Sequence, residues 1–361
     1  MRIGILTYHR AFNYGAFLQA YALKSFLTDK GFDVSFIDYW PVDHEKMYNA
    51  WDKTVSIKSF FRNLLLARKR KARYRRFITA QQRCLGIDRK PSFRSSAQLE
   101  RVEYDAVIYG SDQIWWKSRI GDNGFDPVYW GQYINGCIKK ISYAASMGII
   151  ELQEKDLNDI RYYMTAFSHI SVRETQLQEL IQPLTDKTVS AVLDPTLLVP
   201  SSFWESICDS KNTPVKTKYI LYYRMMSDDK ADAFARELGR QHNLPVIMIT
   251  GNIDSYKTDS INTLTDPIMF LTLIRNAEYV VSTSFHGVAL SVQFRKEFYA
   301  LGMKNNSDRV SSLLSKLGLE KRMVDTVPDG KTDRIDYTKV HSILAVLRRE
   351  SEDFLISSLQ S

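Results

Sequence analysis

A chain of 361 residues is longer than one ordinary hydrophobic core supports and predicts two domains. With 44% hydrophobic and 25% charged residues the composition is that of a globular protein; no run of about 18 apolar residues exists, which excludes a transmembrane helix. Three scattered cysteines, Cys84, Cys137 and Cys208, exclude a disulfide framework and a Cys-based zinc spacing, so a reducing cytoplasm is expected, and the net charge of +8 is concentrated rather than spread.

Met1 to Leu6 is too short an apolar run for a secretory signal and reads instead as a first strand over residues 2–8. Ala16 to Lys30 reads as a helix that stops at Gly31, and Asp33 to Tyr39 as the next strand, a βαβ unit that starts a parallel sheet. Between Asp52 and Asp88 no acidic residue occurs, while Phe60, Phe61 and Leu64 to Leu66 precede Arg68, Lys69, Arg70, Lys71, Arg73, Arg75 and Arg76. This insertion reads three ways: an amphipathic helix on an anionic membrane surface, a nucleic-acid contact, or a solvated helix with its apolar stripe in the core. No recognised nucleic-acid motif accompanies the charge, so no nucleic-acid partner is expected.

Further short apolar strands follow at Tyr104 to Tyr109, Lys140 to Ala144, Ile170 to Val172 and Val189 to Leu193, the last running into Asp194-Pro195, which has the punctuation of a domain hinge. A second alternating series comprises a strand at Tyr219 to Tyr223, a helix from Asp228 to Arg240, a strand at Pro245 to Thr250 and a helix from Asp266-Pro267 to Arg275. It ends with strands at Tyr279 to Ser282 and Phe298 to Leu301. Tyr337 to Gln360 reads as a terminal helix with an apolar stripe of Ile343, Leu344, Leu347, Phe354 and Leu355.

The pattern predicts an α/β fold of two Rossmann-like domains facing across a cleft. Residues 1–195 form the first, with the basic insertion at about 52–88. Residues 196–335 form the second, and residues 336–361 a helix packing back on the first. Ligands of open parallel sheets bind outside the carboxyl ends of the strands. The polar clusters fall at those ends: Asn13-Tyr14-Gly15, Gly110-Ser111-Asp112-Gln113, Ser146-Met147-Gly148, Arg173-Glu174 and Ser282 to Gly287.

The last of these, Ser282-Thr283-Ser284-Phe285-His286-Gly287-Val288, stands where a strand hands over to a helix N-terminus, with unpaired N–H groups and partial positive charge. It reads either as an anion site with an imidazole able to move a proton, or as a capped turn with a packed histidine.

Several of these stretches together resemble the polysaccharide pyruvyl transferase family. They are Asn13-Tyr14-Gly15-Ala16 with Leu18 to Leu23, Gly110 to Trp115, Ser142 to Ser146, Ser171 to Glu174, Asp194 to Leu198, and Ser284 to Gly287 with the preceding Asp266-Pro267. The resemblance runs from about residue 1 to 325 with the motifs in the expected order. Some members carry Arg-Leu-His where this chain has Ser284-Phe285-His286, so Arg309 is a candidate to supply that charge.

The resemblance implies a GT-B-like architecture and transfer of pyruvate from phosphoenolpyruvate to a hexose of a surface glycan. The implied product is a cyclic ketal, typically 4,6 on galactose. No cofactor and no metal is implied; phosphoenolpyruvate is a substrate. His286 is then the acid or phosphate-side proton donor, Asp112 the base or diol ligand, and Arg173 a bidentate ligand for phosphate or carboxylate. Asn13, Tyr14, Gly15, Ser111, Gln113, Ser146, Ser282, Ser284, Gly287 and Arg309 complete the substrate-binding set.

The bland readings are a surface pair of Arg173 with Glu174, a turn at Asp112, an Asx turn at Asn13, and core packing of Trp115 or Trp116. A polyprenyl-diphosphate-linked acceptor would place the protein at the inner face of the cell membrane, docked through residues 60–76. The rival activities are a nucleotide-sugar-dependent GT-B glycosyltransferase and a non-catalytic scaffold of glycan assembly.

Overall fold

The computed structural model describes residues 1–42, 44, 57–117, 124–148, 152–208, 215–225, 228–250, 265–302, 307–328 and 333–361. For residues 57–66, 69, 70, 307 and 308 the description covers the backbone alone.

Two parallel sheets organise the chain. The first has six strands, β1 (Arg2–Leu6), β2 (Asp33–Phe36), β3 (Glu103–Tyr109), β4 (Gly136–Ala145), β5 (His169–Val172) and β6 (Val189–Ala191), in the order β2-β1-β3-β4-β5-β6. The second has four, β7 (Ile220–Arg224), β8 (Val246–Thr250), β9 (Tyr279–Ser282) and β10 (Glu297–Ala300), in the order β10-β9-β7-β8. Each order doubles back at its first strand, which puts a topological switch point between β1 and β3 and another between β7 and β9.

Helix boundaries follow local chemistry. Helix α1 (Tyr14–Asp29) starts two residues earlier than its apolar pattern suggests, because Asn13 Oδ1 accepts from the Gly15 and Ala16 N–H groups. Helix α2 (Ile57–Ala80) is the basic insertion, continued by a wide turn over Gln81–Leu85. Helices α3 (Glu154–Met164) and α4 (Thr175–Ile181) flank β5 in sequence. Helices α5 (Pro195–Leu198) and α6 (Ser201–Ile207) carry the chain from the first sheet to the second.

In the second domain α7 (Asp229–His242) is capped by Asp228 and stopped by left-handed Asn243. Helix α8 (Pro267–Asn276) combines an Asp266 cap with Pro267 in its first turn. Helices α9 (Phe285–Gln293), α10 (Ser307–Leu317) and α11 (Tyr337–Gln360) complete the chain.

Three strands end two or more residues earlier than expected: β1 stops at Leu6 rather than residue 8, where the Thr7 hydroxyl turns to donate to Ser111 O, and β2 and β6 are cut short as well. Strand β2 ends at Phe36 because Tyr39 turns aside to bridge Phe93. Strand β6 ends at Ala191 because the next residues enter the crossover, where the Leu193 N–H is held by Ser351 Oγ of α11.

The apolar core does not stop between the sheets. One cluster runs from Ile5 and Phe17 through Leu197 and Leu198 to Leu221, Phe270 and Leu290. Gln293 Nε2 donates to the carbonyls of Thr196 and Val199 at 2.8 and 2.7 Å, fixing α9 to the crossover. Helix α11 grips both sides. Lys139 Nζ donates to Leu359 O and Arg348 Nε to Leu197 O, while Tyr337 and His341 bond carbonyls around the end of α9.

Cys84, Cys137 and Cys208 are free thiols. Among the described residues no helix is long and apolar enough to cross a membrane.

Candidate active site

The carboxyl ends of β3, β5 and β9 converge on one carboxylate, that of Asp194. It follows β6 and is 1% exposed. Its Oδ1 accepts from the Thr196 backbone N–H at 2.9 Å and the Thr196 hydroxyl at 2.7 Å. Its Oδ2 accepts from Arg173 Nη1 at 2.8 Å and from the Ser111 hydroxyl at 3.0 Å. His286 Nε2 stands 3.5 Å from the same oxygen, an ion-pair distance for a protonated ring and long for a hydrogen bond. Burial by itself would push this carboxyl up, but His286, Arg173 and the Thr196 hydroxyl outweigh it and hold it well below the usual carboxylate range.

Arg173 extends the network. Its Nε donates to Glu174 Oε1 at 3.0 Å, and the same oxygen accepts from the Ser146 hydroxyl at 2.7 Å. The guanidinium lies 4.5 Å from the centre of the Phe285 ring, so the first domain's arginine touches the first residue of α9 in the second. Burial disfavours its charge, yet Glu174, Asp194 and Asp112 more than restore it. Among the described residues its Nη2 has no hydrogen-bond partner, although Arg173 is only 4% exposed.

His286 is brought to Asp194 by two glycines. A Cβ on Gly15 would lie 2.0 Å from His286 Nδ1, so only glycine lets the first turn of α1 accept the imidazole. A Cβ on Gly287 would lie 2.1 Å from Ser282 Oγ and 2.9 Å from Tyr223 Cδ1, so the same requirement holds where β9 turns into α9. The ring of Tyr14 stacks on Phe270 at 4.6 Å and meets Tyr223 edge-on at 6.0 Å.

On the first-domain side, Asp112 has φ +78, in the left-handed region at the end of β3, where backbone strain is commonly found at functional sites. Its backbone carbonyl accepts from Ile114 and Ser146 N–H, and it lies within electrostatic reach of Arg173 and Arg309. Arg309, in α10, is partly buried. Burial and the repulsion of Arg173 push it down to about 10 despite Glu174, Asp112 and Asp194.

The structure therefore gathers His286, Arg173, Ser111, Ser146, Gly15 and Gly287 in direct contacts, with Asp112 and Arg309 in their field. Several expected substrate ligands are engaged in the fold instead. Asn13 caps α1. The Tyr14 ring is fully buried among aromatic neighbours. Ser111 and Ser146 spend their hydroxyls on Asp194 and Glu174. The Ser282 hydroxyl folds back onto the Ser284 N–H at 3.0 Å, and the Ser284 side chain makes no cap bond.

Gln113 packs its amide where a Gly148 Cβ would stand. Trp115 is a core residue, stacked on Trp130 at 4.6 Å with its indole N–H on Tyr129 O. The Arg173–Glu174 pair does exist, but both residues are buried rather than on the surface.

In the sequence Asp194 reads as part of a hinge and of the family stretch Asp194 to Leu198, and not as a site residue. Its signal in the sequence was the Asp-Pro-Thr order, a cap followed by Pro at the first helical position. Among the described residues no group of three or more His, Cys, Asp or Glu side chains is arranged to hold a metal ion.

The family model described as polysaccharide pyruvyl transferase matches residues 13–305. Among solved structures, the UDP-N-acetylglucosamine 2-epimerase of Rickettsia bellii is similar with a TM-score of 0.51 and 10% identity, over 99% of this chain and 96% of that one. The UDP-GlcNAc 2-epimerase of Methanocaldococcus jannaschii, solved with UDP-GlcNAc and UDP, gives 0.47 and 11% over 97% and 100%. An E. coli heptosyltransferase with ADP gives 0.39 and 10% over 96% and 100%. Structural likeness at this identity bears on the fold alone. A 79-residue stretch is 30% identical to a G-type lectin S-receptor-like serine/threonine-protein kinase of Arabidopsis thaliana, covering 20% of this chain. The chain thus spans about a tenth of the length of that curated relative.

The depressed ionisation of Asp194 has a definite sign. A carboxyl whose folded-state pKa lies below its unfolded value contributes stability that is present above the unfolded value and lost as pH falls toward the folded one. Asp194→Asn is expected to cost about 3–5 kcal/mol at neutral pH, because the buried Arg173 charge loses its partner. The wild-type melting temperature should fall steeply below about pH 5, and that of the variant less so. Thermal unfolding across pH 3–7 checks both; parallel curves would show that Asp194 is not ionised against these partners.

Proposed function

The chain belongs to the polysaccharide pyruvyl transferase family, and from that premise we propose that it moves pyruvate from phosphoenolpyruvate onto a hexose, closing a cyclic ketal across two hydroxyls and releasing phosphate. The observation that carries the reading is the buried set Arg173–Asp194–His286, which joins strand ends of both domains and, among the described residues, leaves Arg173 Nη2 and His286 Nε2 without hydrogen-bond partners. Two adjacent nitrogen centres with unspent hydrogen-bonding capacity, beside the N-terminus of α9, suit a small polyanion carrying both a phosphate and a carboxylate.

The chemistry assigns each group a task. A proton is added to the methylene carbon, which makes C2 an oxocarbenium-like centre. One sugar hydroxyl adds to C2 and gives up its proton. The C2–O bond to phosphate then breaks, and the second hydroxyl closes the ring and gives up its proton in turn. Two protons leave the sugar; one replaces the proton added at carbon and the other departs with phosphate.

His286 delivers the proton, at the methylene carbon or at the leaving phosphate. Asp112 accepts from the diol, and Arg173 holds the donor's carboxylate or phosphate. Asp194 keeps the imidazole and guanidinium aligned, as an orienting carboxylate does for a catalytic base. Galactose and the 4,6 positions are the acceptor we propose.

Incubation with phosphoenolpyruvate and a panel of galactosides, glucosides and N-acetylhexosaminides tests the class. The expected product is heavier than its acceptor by one pyruvate less one water, with one phosphate released. His286→Ala should lower its formation by about 100-fold or more while remaining folded. Thermal stabilisation by a nucleoside diphosphate but not by phosphoenolpyruvate would instead favour a nucleotide-sugar glycosyltransferase.

The basic insertion suits an acceptor carried on a polyprenyl diphosphate at the inner membrane face. Arg68 and Lys71 are exposed on α2, whereas the side chains of Phe60, Phe61, Lys69 and Arg70 lie outside the described residues. Charge reversal at residues 68–71 is expected to abolish sedimentation with anionic vesicles and to spare turnover on a soluble glycoside. Unchanged sedimentation would remove the membrane from the account.

A further inference from the structure

Glu174 belongs to the buried network but has no task in the chemistry above. It follows β5 beside Arg173 and is 5% exposed. It stands at the position that caps α4, yet its side chain makes no cap bond. Its Oε1 is engaged twice, by Arg173 Nε at 3.0 Å and by the Ser146 hydroxyl at 2.7 Å. Its Oε2 is buried and, among the described residues, accepts no hydrogen bond.

The pair with Arg173 is a half-closed fork. A guanidinium and a carboxylate pair best through two parallel bonds. Here the Nε–Oε1 bond is made, while Nη2 on one side and Oε2 on the other stay open. Each partner is held elsewhere. Arg173 Nη1 is tied to Asp194 at 2.8 Å with Phe285 against the guanidinium, and Glu174 Oε1 is tied to Ser146. A mere counter-ion for Arg173 does not ask for this geometry, because a closed fork would satisfy both groups.

The two open atoms suit opposite ligands. Nη2 is a cationic donor and takes an oxyanion. Oε2 is a carboxylate oxygen, which repels an anion and accepts from an O–H group. Arg309 and Lys316 of α10 both lie within electrostatic reach of Glu174, which offsets the repulsion between that carboxylate and an anion held on Nη2. Thr175 Oγ1 and Ser312 Oγ, 3.4 Å apart, join α4 to α10 at this point.

We propose that Glu174 is a catalytic residue of the acceptor side, whose Oε2 receives the hydroxyl that closes the ketal ring and takes up its proton. The second sugar oxygen bonds to C2 of the oxocarbenium-like centre. Its O–H bond breaks with the electron pair staying on oxygen, and the proton passes to Oε2 and then leaves with phosphate. Asp112 serves the first hydroxyl. Neighbouring residues thereby hold the donor's anion and the acceptor's hydroxyl side by side. The inference rests on the pyruvyl-transfer reading for the reaction, and on the open Oε2 for the role itself.

Glu174→Gln tests it. Arg173 Nε and the Ser146 hydroxyl both donate, so they select the amide oxygen and leave the amide nitrogen at the place of Oε2. An acceptor becomes a donor with the shape kept. The full-length protein, Glu174→Gln and Glu179→Gln, an exposed control on the same helix, are incubated with phosphoenolpyruvate and a galactoside. Ketal, phosphate and free pyruvate are measured.

The wild type and Glu179→Gln should release phosphate and form ketal in equal amounts. In Glu174→Gln ketal formation should fall by about 100-fold or more. Phosphate and free pyruvate should then exceed ketal, because water captures C2 in place of the second hydroxyl and the hemiketal falls back to pyruvate and sugar. KM for the acceptor should rise roughly tenfold, the loss of one charged hydrogen bond, and KM for the donor should not. A purely structural role would lower ketal and phosphate together.

Unchanged ketal formation in Glu174→Gln overturns the proposal, as does a loss in which phosphate still equals ketal. If that variant does not fold, Glu174→Asp, whose carboxylate is withdrawn by one methylene, is read by the same ratio. If the wild type releases no phosphate from phosphoenolpyruvate, the pyruvyl-transfer reading fails, and the galactoside is titrated alone with thermal stabilisation as readout. Binding weakened about tenfold or more in Glu174→Gln then upholds Glu174 as a hydroxyl ligand; equal binding, or none by the wild type, overturns it.

Discussion

Everything around the candidate site depends on one buried carboxylate having enough donors. Asp194 is almost completely removed from water, and an isolated ion there would cost several kcal/mol. It is kept by partners from three directions: hydrogen bonds from Thr196 in its own turn and from Ser111 and Arg173 of the first sheet, and the His286 ring of the second domain at an ion-pair distance. The carboxylate in turn fixes where the guanidinium and the imidazole stand. The chemistry of the site and the stability of the domain junction are therefore the same set of contacts.

That arrangement follows from topology. Both sheets double back at their first strand, so the ends of β1 and β3 face outward from one switch point and those of β7 and β9 from the other. The crossover leaves β6 as a capped turn, Asp194-Pro195-Thr196, whose cap is the shared carboxylate. Gly15 then removes the side chain that would hold the start of α1 off His286, and Gly287 lets the first turn of α9 close on Ser282 and Tyr223. Helix α11, bonded to both sides of the crossover, reinforces the junction from outside.

Much of this was legible in the sequence. The strand runs, the helix punctuation and the polar clusters at strand ends depend on local patterns, and these give the α/β class and, among the described residues, the ten strands, with the candidate site at the strand ends. What local pattern does not carry is partnership across distance. Asp194 read as a hinge because its cap and proline are local, while its bonds to Ser111 and Arg173 and its approach to His286 span tens of residues. Ser111, Ser146 and Ser282 read as substrate ligands because a hydroxyl at a strand end has no visible partner until the chain folds; each then finds one in the protein.

The central claim is that Asp194 couples Arg173 and the second domain's His286 into one unit. A double-mutant cycle on unfolding free energy, pairing Asp194→Asn with His286→Ala and then with Arg173→Met, measures this directly. The account predicts coupling of about 1 kcal/mol or more in both cycles. Effects that add to within about 0.5 kcal/mol would contradict it, since residues that do not share partners behave that way.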